Sequence, residues 1–213
     1  MVIIGTHRMN RSQIVAAVCL LTVSGFAHSN LIVNGGFESP GITSGWTYGA
    51  DPTGGWQGDN IEVWASGFLG VDSYEGSQHG ELNAHAYDGT AWSIYQSFNS
   101  VLSDVYDISF AYRARRNSSE AFRVTLEDDS GTILDQLVDD HVTGQWNFFA
   151  DSFLGTGSEI TLTFTSVTPT AGTVGNFLDA VAVTKKVPEP STLALFGVGL
   201  AGLAYRSRRR KQA

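Results

Sequence analysis

Apolar and polar residues alternate with a period of two along much of the chain between residues 30 and 186. The clearest run covers residues 106–113, where Tyr106, Ile108, Phe110 and Tyr112 alternate with polar or small residues. Residues 122–127 and 160–165 repeat the pattern. Successive side chains of a β-strand point to opposite faces, so each run predicts a strand with one buried face. Shorter apolar runs predict further strands at residues 31–33, 61–64, 80–84, 92–98, 132–137, 146–153 and 177–184.

These ten predicted strands are separated by clusters of Gly, Asn, Asp and Ser, and no apolar stripe of helical period lies among them. The pattern predicts an all-β fold, an antiparallel β-sandwich of the jelly-roll type, in one domain covering residues 30–186. Residues 40–60 are rich in Gly and Trp with little alternation. We expect long loops there, and long loops often carry binding residues.

The first 29 residues have the pattern of a secretory signal peptide. Arg8 and Arg11 precede an apolar stretch at 14–23, and Gly25 and Ala27 follow as small residues before a cleavage point. Cys19, the only cysteine, lies inside this segment. The mature protein is therefore expected to contain no disulfide.

The last segment, residues 187–213, combines a Pro-Glu-Pro motif, a short apolar run and a basic end. The apolar run at 191–205 would span about 22 Å as a helix, against about 30 Å of bilayer hydrocarbon. Five Arg or Lys residues follow within the last eight positions. The positive-inside bias places this cluster in the cytoplasm and the preceding domain outside.

This arrangement resembles the PEP-CTERM sorting signal of Gram-negative bacteria, with Pro188, Glu189 and Pro190 as the sorting motif. The resemblance implies an exosortase-type membrane protease as partner. It also implies anchoring in the inner membrane before processing, followed by delivery to the cell surface or the extracellular matrix. Bacteria with such signals typically make exopolysaccharide.

The charge of the predicted domain is strongly negative. Residues 30–186 hold twenty of the 21 acidic residues but only six of the 13 basic ones, a formal net charge of −14. Such acidity argues against nucleic acid and against adsorption to anionic membranes. Divalent cations and neutral polyhydroxylated ligands stay open as partners.

A second resemblance covers most of the domain. It rests on "NLIVNGGFESPGITSGW" at 30–46, "IEVWASGFLGVDSYEGSQHGELNA" at 61–84, "ISFAYRAR" at 108–115 and "FLDAVAV" at 177–183. These stretches resemble the jelly-roll modules of the galactose-binding-like superfamily, and among them the DUF642 and carbohydrate-binding-module relatives. The resemblance implies a β-sandwich and a sugar-binding role.

The same resemblance implies a structural Ca²⁺ ion held by Glu38 and Asp179, with backbone carbonyls completing the shell. Ca²⁺ prefers six to eight oxygen ligands, and a clamp between the first and last strands would stabilise a chain without disulfides. Ala180 stands where the family often has a second acid. The alternative is two solvated carboxylates at strand ends.

Candidate ligand contacts follow from residue type and position. Aromatic faces stack on the C–H surfaces of sugars, and Trp46 and Trp56 lie in the stretch expected to form loops. Arg113 and Arg115 have the polar parity of a strand, so they contact a ligand or form structural ion pairs.

A row of four polar residues of equal parity lies at positions 79–85: His79, Glu81, Asn83 and His85. On one strand they would share a face. Such a row could contact a ligand or a transition metal, or it could simply be a polar outer face.

The domain shows no recognisable catalytic motif. It has no Gly-x-Ser-x-Gly elbow, no phosphate-binding glycine loop and no cysteine nucleophile. We therefore predict an exported, non-catalytic protein that binds carbohydrate and associates with extracellular polysaccharide. The alternatives are a structural protein of the cell surface or biofilm matrix without a glycan site, and a polysaccharide-active enzyme.

Overall fold

A computed structural model describes residues 29–49, 54–86 and 91–187. The signal peptide, the sorting motif and the tail lie outside these ranges. Within them the chain forms eleven strands and no helix, and no described segment is a helix able to span a membrane. The strands are β1 (Trp46–Gly49), β2 (Gln57–Gly58), β3 (Ile61–Ala65), β4 (Gln78–Glu81), β5 (Ser93–Asn99), β6 (Val105–Arg113), β7 (Ala121–Asp128), β8 (Gly131–Val138), β9 (Asn147–Leu154), β10 (Glu159–Thr168) and β11 (Phe177–Lys185).

The strands form two antiparallel sheets packed face to face, which confirms the predicted β-sandwich. The six-stranded sheet has the order β1-β3-β4-β11-β6-β9, and the five-stranded sheet has the order β2-β5-β10-β7-β8. The alternating runs predicted at 106–113, 122–127 and 160–165 are β6, β7 and β10. Their apolar residues face the space between the sheets.

Aromatic rings fill the centre of this core. Phe110 from one sheet packs edge-on against Phe164 from the other, with ring centroids 5.1 Å apart. Phe122 lies 5.7 Å from Phe164 and 5.8 Å from Phe110. All three side chains are fully buried, so apolar burial holds this domain together in the absence of a disulfide.

The two ends of the domain lie side by side. Asn30 forms an isolated antiparallel bridge with Thr184, and the Leu31 N–H donates to the Val183 carbonyl at 2.8 Å. The strand predicted at 31–33 is otherwise absent, because the Gln96 side chain takes up both backbone groups of Val33. The last strand, β11, lies in the interior of the six-stranded sheet, between β4 and β6.

Residues 40–60, predicted as loops, contain the two short strands β1 and β2. β1 forms one edge of the six-stranded sheet and places Trp46 opposite Trp64 of β3. β9 forms the other edge. It turns the charged Asp151 toward Ile108 in register, an arrangement that discourages edge-to-edge pairing between molecules.

A buried histidine makes the stability of the fold sensitive to acid. His141 packs against the rings of Tyr112 and Phe122, and both of its ring nitrogens are buried without a hydrogen-bond partner. Burial lowers the pKa of His141 to about 4, although Glu120 and the neighbouring acids favour the charged form. The unfolded chain therefore binds a proton at a higher pH than the folded chain does.

The contribution of His141 to stability is expected to fall by up to about 2 kcal/mol as the pH drops from about 6.5 to about 4. Denaturant unfolding at pH 7.5 and pH 4.5 measures the change. His141→Phe, which keeps a ring against Tyr112 and Phe122, serves as the matched variant. An equally steep acid loss in that variant would refute the assignment to His141.

Candidate functional site

The outer face of the six-stranded sheet carries a group of polar and aromatic side chains outside the central core. Strand β3 turns Ile61 and Val63 toward the core and Glu62 and Trp64 outward. Glu62 lies opposite Glu81 of β4 in register, and Trp64 lies opposite His79. This face therefore joins two carboxylates, a histidine and a tryptophan on neighbouring strands.

Three exposed rings form a cluster at the β1 edge of this face, here named the aromatic platform: Trp46, Tyr48 and His85. The His85 ring stacks on Trp46 with centroids 4.5 Å apart, and Tyr48 lies 5.8 Å from Trp46. Trp46 and Tyr48 are 39% and 46% exposed. Large rings open to solvent on a sheet face suit contact with a ligand.

A buried carboxylate holds the platform from below. Glu62 Oε1 pairs with His85 Nδ1, while Trp64 Nε1–H donates to Glu62 Oε2 at 2.9 Å. Glu62 is almost fully buried, whereas the His85 side chain is nearly half exposed. The pairing fixes the His85 ring and leaves its Nε2 as the nitrogen for an outside partner.

Arg115 interacts with other side chains of the protein. Its Nη1 donates to both oxygens of Glu81, at 2.7 and 2.8 Å, and its guanidinium lies 4.5 Å above the centroid of the Trp64 ring. Burial raises the pKa of Glu81 well above its usual value, and the Arg115 charge opposes that rise. Of the two roles predicted for Arg115, the structure shows the ion pair.

Arg113 lies on the same outer face, opposite Phe177 in register. Its Nε is buried without a hydrogen-bond partner, and its side chain is partly exposed. Together with desolvation by burial, its charge lowers the pKa of His79 to about 3. Ligand contact by Arg113 stays a prediction.

The middle of the outer face is covered. Trp64 and Phe177 pack 5.0 Å apart beneath Phe68 and Val71 of the loop at 66–77. A second aromatic group follows at the β9 edge, where Tyr74 stacks on Phe148 at 6.0 Å and meets Trp146 at 6.2 Å. The face therefore has two exposed aromatic ends and a closed centre.

Trp56 is not part of any exposed surface, so its prediction as a ligand platform is wrong. It is 2% exposed, stacks on Phe37 at 5.7 Å and lies 6.0 Å from Phe164. The reason is that Trp56 directly precedes β2, the edge strand of the five-stranded sheet, and its ring packs into the core between the sheets. Trp46, predicted together with it, lies exposed on the aromatic platform.

The four polar residues predicted to share a face at positions 79–85 do not all lie on one strand, because β4 ends at Glu81. His79 and Glu81 keep the shared outer face, where His79 Nδ1 contacts Ser73 Oγ at 3.0 Å. Asn83 instead lies buried and bonds Pro169 and Asn176. Sequence parity thus marked His85 as a candidate and residue type marked Trp46, but Glu62 and Tyr48 were missed because they come from other strands.

Glu38 and Asp179 lie in one glycine-rich corner, each saturated by backbone donors. Glu38 Oε1 accepts from the N–H groups of Ser77 at 2.7 Å and Gln78 at 3.0 Å. Gly76, at φ +59°, makes room for this carboxylate, since a Cβ there would lie 2.1 Å from Glu38 Oε1. Asp179 Oδ2 accepts from the N–H groups of Tyr74 at 2.9 Å and Glu75 at 3.1 Å.

This corner brings together acidic side chains, whose oxygen atoms are the type of ligand that Ca²⁺ prefers. A Cβ built on Gly36 would lie within 4 Å of side-chain atoms of Glu75, Glu38 and Asp179. Three acidic side chains therefore lie around one glycine, and two of them, Glu75 and Asp179, approach it with carboxylate oxygens. In the described part of the chain, no three His, Cys, Asp or Glu side chains stand in a metal-binding arrangement.

Comparison with solved structures defines the class of fold, which is that of carbohydrate-binding modules. TmCBM61, solved with β-1,4-galactotriose, matches with a TM-score of 0.50 and 15% identity over 74% of this chain and 99% of that one. The CBM22-1 xylan-binding domain of Paenibacillus barcinonensis Xyn10C matches at 0.42 and 19%, over 78% and 100%. A part of the MgGH51 α-L-arabinofuranosidase matches at 0.47 and 13%, over 76% of this chain and 27% of that enzyme.

At the other end of the chain, residues 186–210 match the PEP-CTERM protein-sorting motif. The match includes Pro188, Glu189 and Pro190 and confirms the resemblance drawn from the sequence. The motif indicates an exported protein sorted by an exosortase. No curated protein matches the chain in sequence.

Proposed function

We propose that residues 30–186 bind carbohydrate without catalysis and that the aromatic platform is the binding surface. The observation that carries the proposal is the exposed group of Trp46, Tyr48 and His85 above the buried Glu62 carboxylate. Sugar C–H surfaces stack on such rings, while His85 Nε2 offers a polar contact to a hydroxyl group. The fold shared with TmCBM61 supports this role.

The ligand class we propose is a neutral polysaccharide of the extracellular matrix. A domain with a formal charge of −14 repels acidic chains, whereas a neutral polymer meets no such barrier. Glycosidic hydrolysis commonly needs one carboxylic acid and one carboxylate on either side of a bond. Glu62 and Glu81 are both buried, and their oxygens are engaged by His85, Trp64 and Arg115, which supports a non-catalytic role.

The sorting motif supports a proposal for the export route of the protein. We propose that the tail holds the chain in the inner membrane until exosortase acts, and that the domain then moves to the cell surface or the extracellular matrix. Fractionation of producing cells with and without the sorting protease tests this route. Retention in the inner membrane of normal cells would contradict it.

A second candidate is a structural matrix protein without a glycan site. The covered centre of the outer face, where Phe68 and Val71 lie over Trp64 and Phe177, favours it. The outer face therefore presents the small aromatic platform instead of a long open groove. The binding screen described next separates the two candidates.

The test is a screen of purified residues 30–187 against a glycan array and against the exopolysaccharide of the producing cell, with and without Ca²⁺. Binding to a neutral glycan that depends on Trp46 would support the proposal. No binding across the panel would favour the structural protein.

We propose in addition that Glu38 and Asp179, with backbone carbonyls, hold a structural Ca²⁺ ion. When bound, the ion would join the segment at 36–38 to β11. Chelation is expected to lower the melting temperature by about 5 °C or more, because a ligand that binds only the folded state stabilises it. Thermal unfolding in Ca²⁺ and in EGTA measures the shift, with Mg²⁺ as the control cation. Identical melting curves would remove the proposal.

A further inference from the structure

The chain leaves the β-sandwich only a few residues before the sorting motif. The Lys186 N–H donates to the Val105 carbonyl at 2.8 Å, so the fold still holds the backbone at this residue. The apolar segment at 191–205 begins only four residues after Val187 by sequence. Four residues span at most about 14 Å when fully extended. This end of the sandwich therefore lies next to the bilayer for as long as the tail is inserted.

We name this end the exit pole and define it by the β5–β6 loop at 100–104, the end of β9 with the β9–β10 turn at 154–158, and the last residues, 185–187. It carries large apolar side chains that face solvent. Leu102 is 70% exposed, Leu154 is 61%, Val101 is 56% and Val187 is 45%. Contiguous apolar patches of this kind mark interaction surfaces more often than scattered single residues do.

The exposed side chains form one surface. Leu154 lies opposite Val105 in register, and the Val105 carbonyl is the acceptor for Lys186, the neighbour of Val187. The turn after Leu154 touches the β5–β6 loop, since a Cβ on Gly157 would lie 3.2 Å from Leu102 Cβ. The surface thus crosses three strands and two turns.

The loop that presents Leu102 is held in place by hydrogen bonds. The Val101 N–H donates to the Tyr106 hydroxyl at 3.0 Å, and the Ser103 N–H donates to the Gly155 carbonyl at 2.8 Å. Leu102 is thus displayed from a bonded loop rather than from a free chain. Its exposure is a property of the fold.

On the six-stranded side of the exit pole, basic and acidic side chains form ion pairs with each other. Lys186 Nζ pairs with Asp107 at 3.0 Å, and Lys185 Nζ pairs with Asp104 at 2.5 Å. The acidic turn after β7 adjoins the exit pole on the side of the five-stranded sheet, where the Asp128 side chain is hydrogen-bonded to Thr156 of the β9–β10 turn. Close approach to a membrane is therefore least opposed on the six-stranded side, where Leu154 and Val187 lie.

We infer that the exit pole is a lipid-docking surface: while the sorting tail anchors the chain, Leu102, Leu154 and their apolar neighbours insert into the headgroup region of the bilayer. The driving force is removal of apolar surface from water, and the attached tail supplies a high local concentration, so a modest patch suffices. No electrostatic attraction to anionic lipid is involved. This inference does not depend on glycan binding.

Docking would also set the direction of the aromatic platform. Along β6, the exit pole begins at Val105, whereas the platform lies at the level of Arg113. Successive register pairs across the sheet connect Arg113 to Phe177, then to Glu81 and then to Glu62, beside the platform. Eight residues of strand separate the two levels by about 26 Å. The platform would therefore point away from the membrane.

The experiment uses the full chain with Cys19→Ser, so that one introduced cysteine is the only thiol. Leu102→Cys is labelled with an environment-sensitive fluorophore, and the chain is reconstituted through its own tail into phosphatidylcholine vesicles. Quenching is measured with spin-labelled lipid and, separately, with aqueous iodide. Ser118→Cys, in the exposed β6–β7 loop at the opposite end, is the matched control.

The Leu102 probe is expected to be quenched by spin-labelled lipid and shielded from iodide, with the reverse for the Ser118 probe. Adding Leu154→Asp, a change at an exposed position that leaves the core intact, is expected to reduce the lipid quenching severalfold. Iodide quenching of the Leu102 probe as strong as that of the Ser118 probe would overturn the inference. The vesicles contain no other protein, so a surface reserved for a protein partner would give that same overturning result.

Discussion

Replacing Trp46 with alanine is expected to weaken glycan binding about thirtyfold, which corresponds to about 2 kcal/mol, the cost of truncating a central aromatic contact. Trp46 stacks on His85 and is 39% exposed, so its loss removes the largest ring of the aromatic platform without opening the core. Calorimetric titration with the glycan identified by the screen measures the change.

The matched control for Trp46 is Tyr95→Ala. Tyr95 is an aromatic residue of similar exposure, at 36%, on β5 of the five-stranded sheet. The Tyr95→Ala protein should bind the glycan with the affinity of the unmodified protein. A Trp46→Ala protein of normal affinity, or an equal loss in Tyr95→Ala, would place the glycan site elsewhere.

Replacing Trp56 with alanine is expected to lower the free energy of unfolding by about 3–5 kcal/mol, the range for removing a large buried aromatic side chain. Trp56 packs between Phe37 and Phe164, and its Nε1–H donates to the Asn34 carbonyl at 3.3 Å. The substitution leaves a cavity in the core and removes one of the two hydrogen bonds that the Asn34 carbonyl accepts, the other coming from the Phe37 N–H. Denaturant unfolding followed by the remaining tryptophan fluorescence measures the loss.

The comparison with Trp46→Ala separates the two roles. Trp46→Ala should cost little stability, whereas Trp56→Ala should leave the affinity of the remaining folded protein unchanged. A Trp56→Ala protein of normal stability that fails to bind glycan would restore Trp56 as a ligand contact.

The alternating strands were predictable because their burial is one-sided. Ile160, Leu162 and Phe164 face the core while the intervening threonines face out, so a period of two is visible in the sequence. β1 lacks that signal, since Trp46 and Tyr48 are large rings turned toward solvent on an edge strand. Strand pairing to β3 defines it instead, and a single sequence does not show pairing.

The candidate site was only partly predictable for a related reason. Residue type alone identified Trp46, but it assigned the same role to Trp56, whose burial depends on contacts with Phe37 and Phe164 from distant parts of the chain. The pairing of His85 with Glu62 joins residues 23 positions apart on different elements. Local pattern cannot establish such contacts, because they arise only when the strands pair within a sheet and the two sheets pack together.

The interior position of β11 has a consequence for the order in which the exported chain can fold. Until residues 177–185 arrive, β4 and β6 lack the strand that joins them, and the Asn30 bridge to Thr184 cannot form. A chain that crosses the membrane with its N-terminus first therefore stays without a closed core until almost the whole domain has been translocated. The sandwich is therefore expected to close only when nearly the whole domain, up to the residues just before the sorting motif, is available to fold.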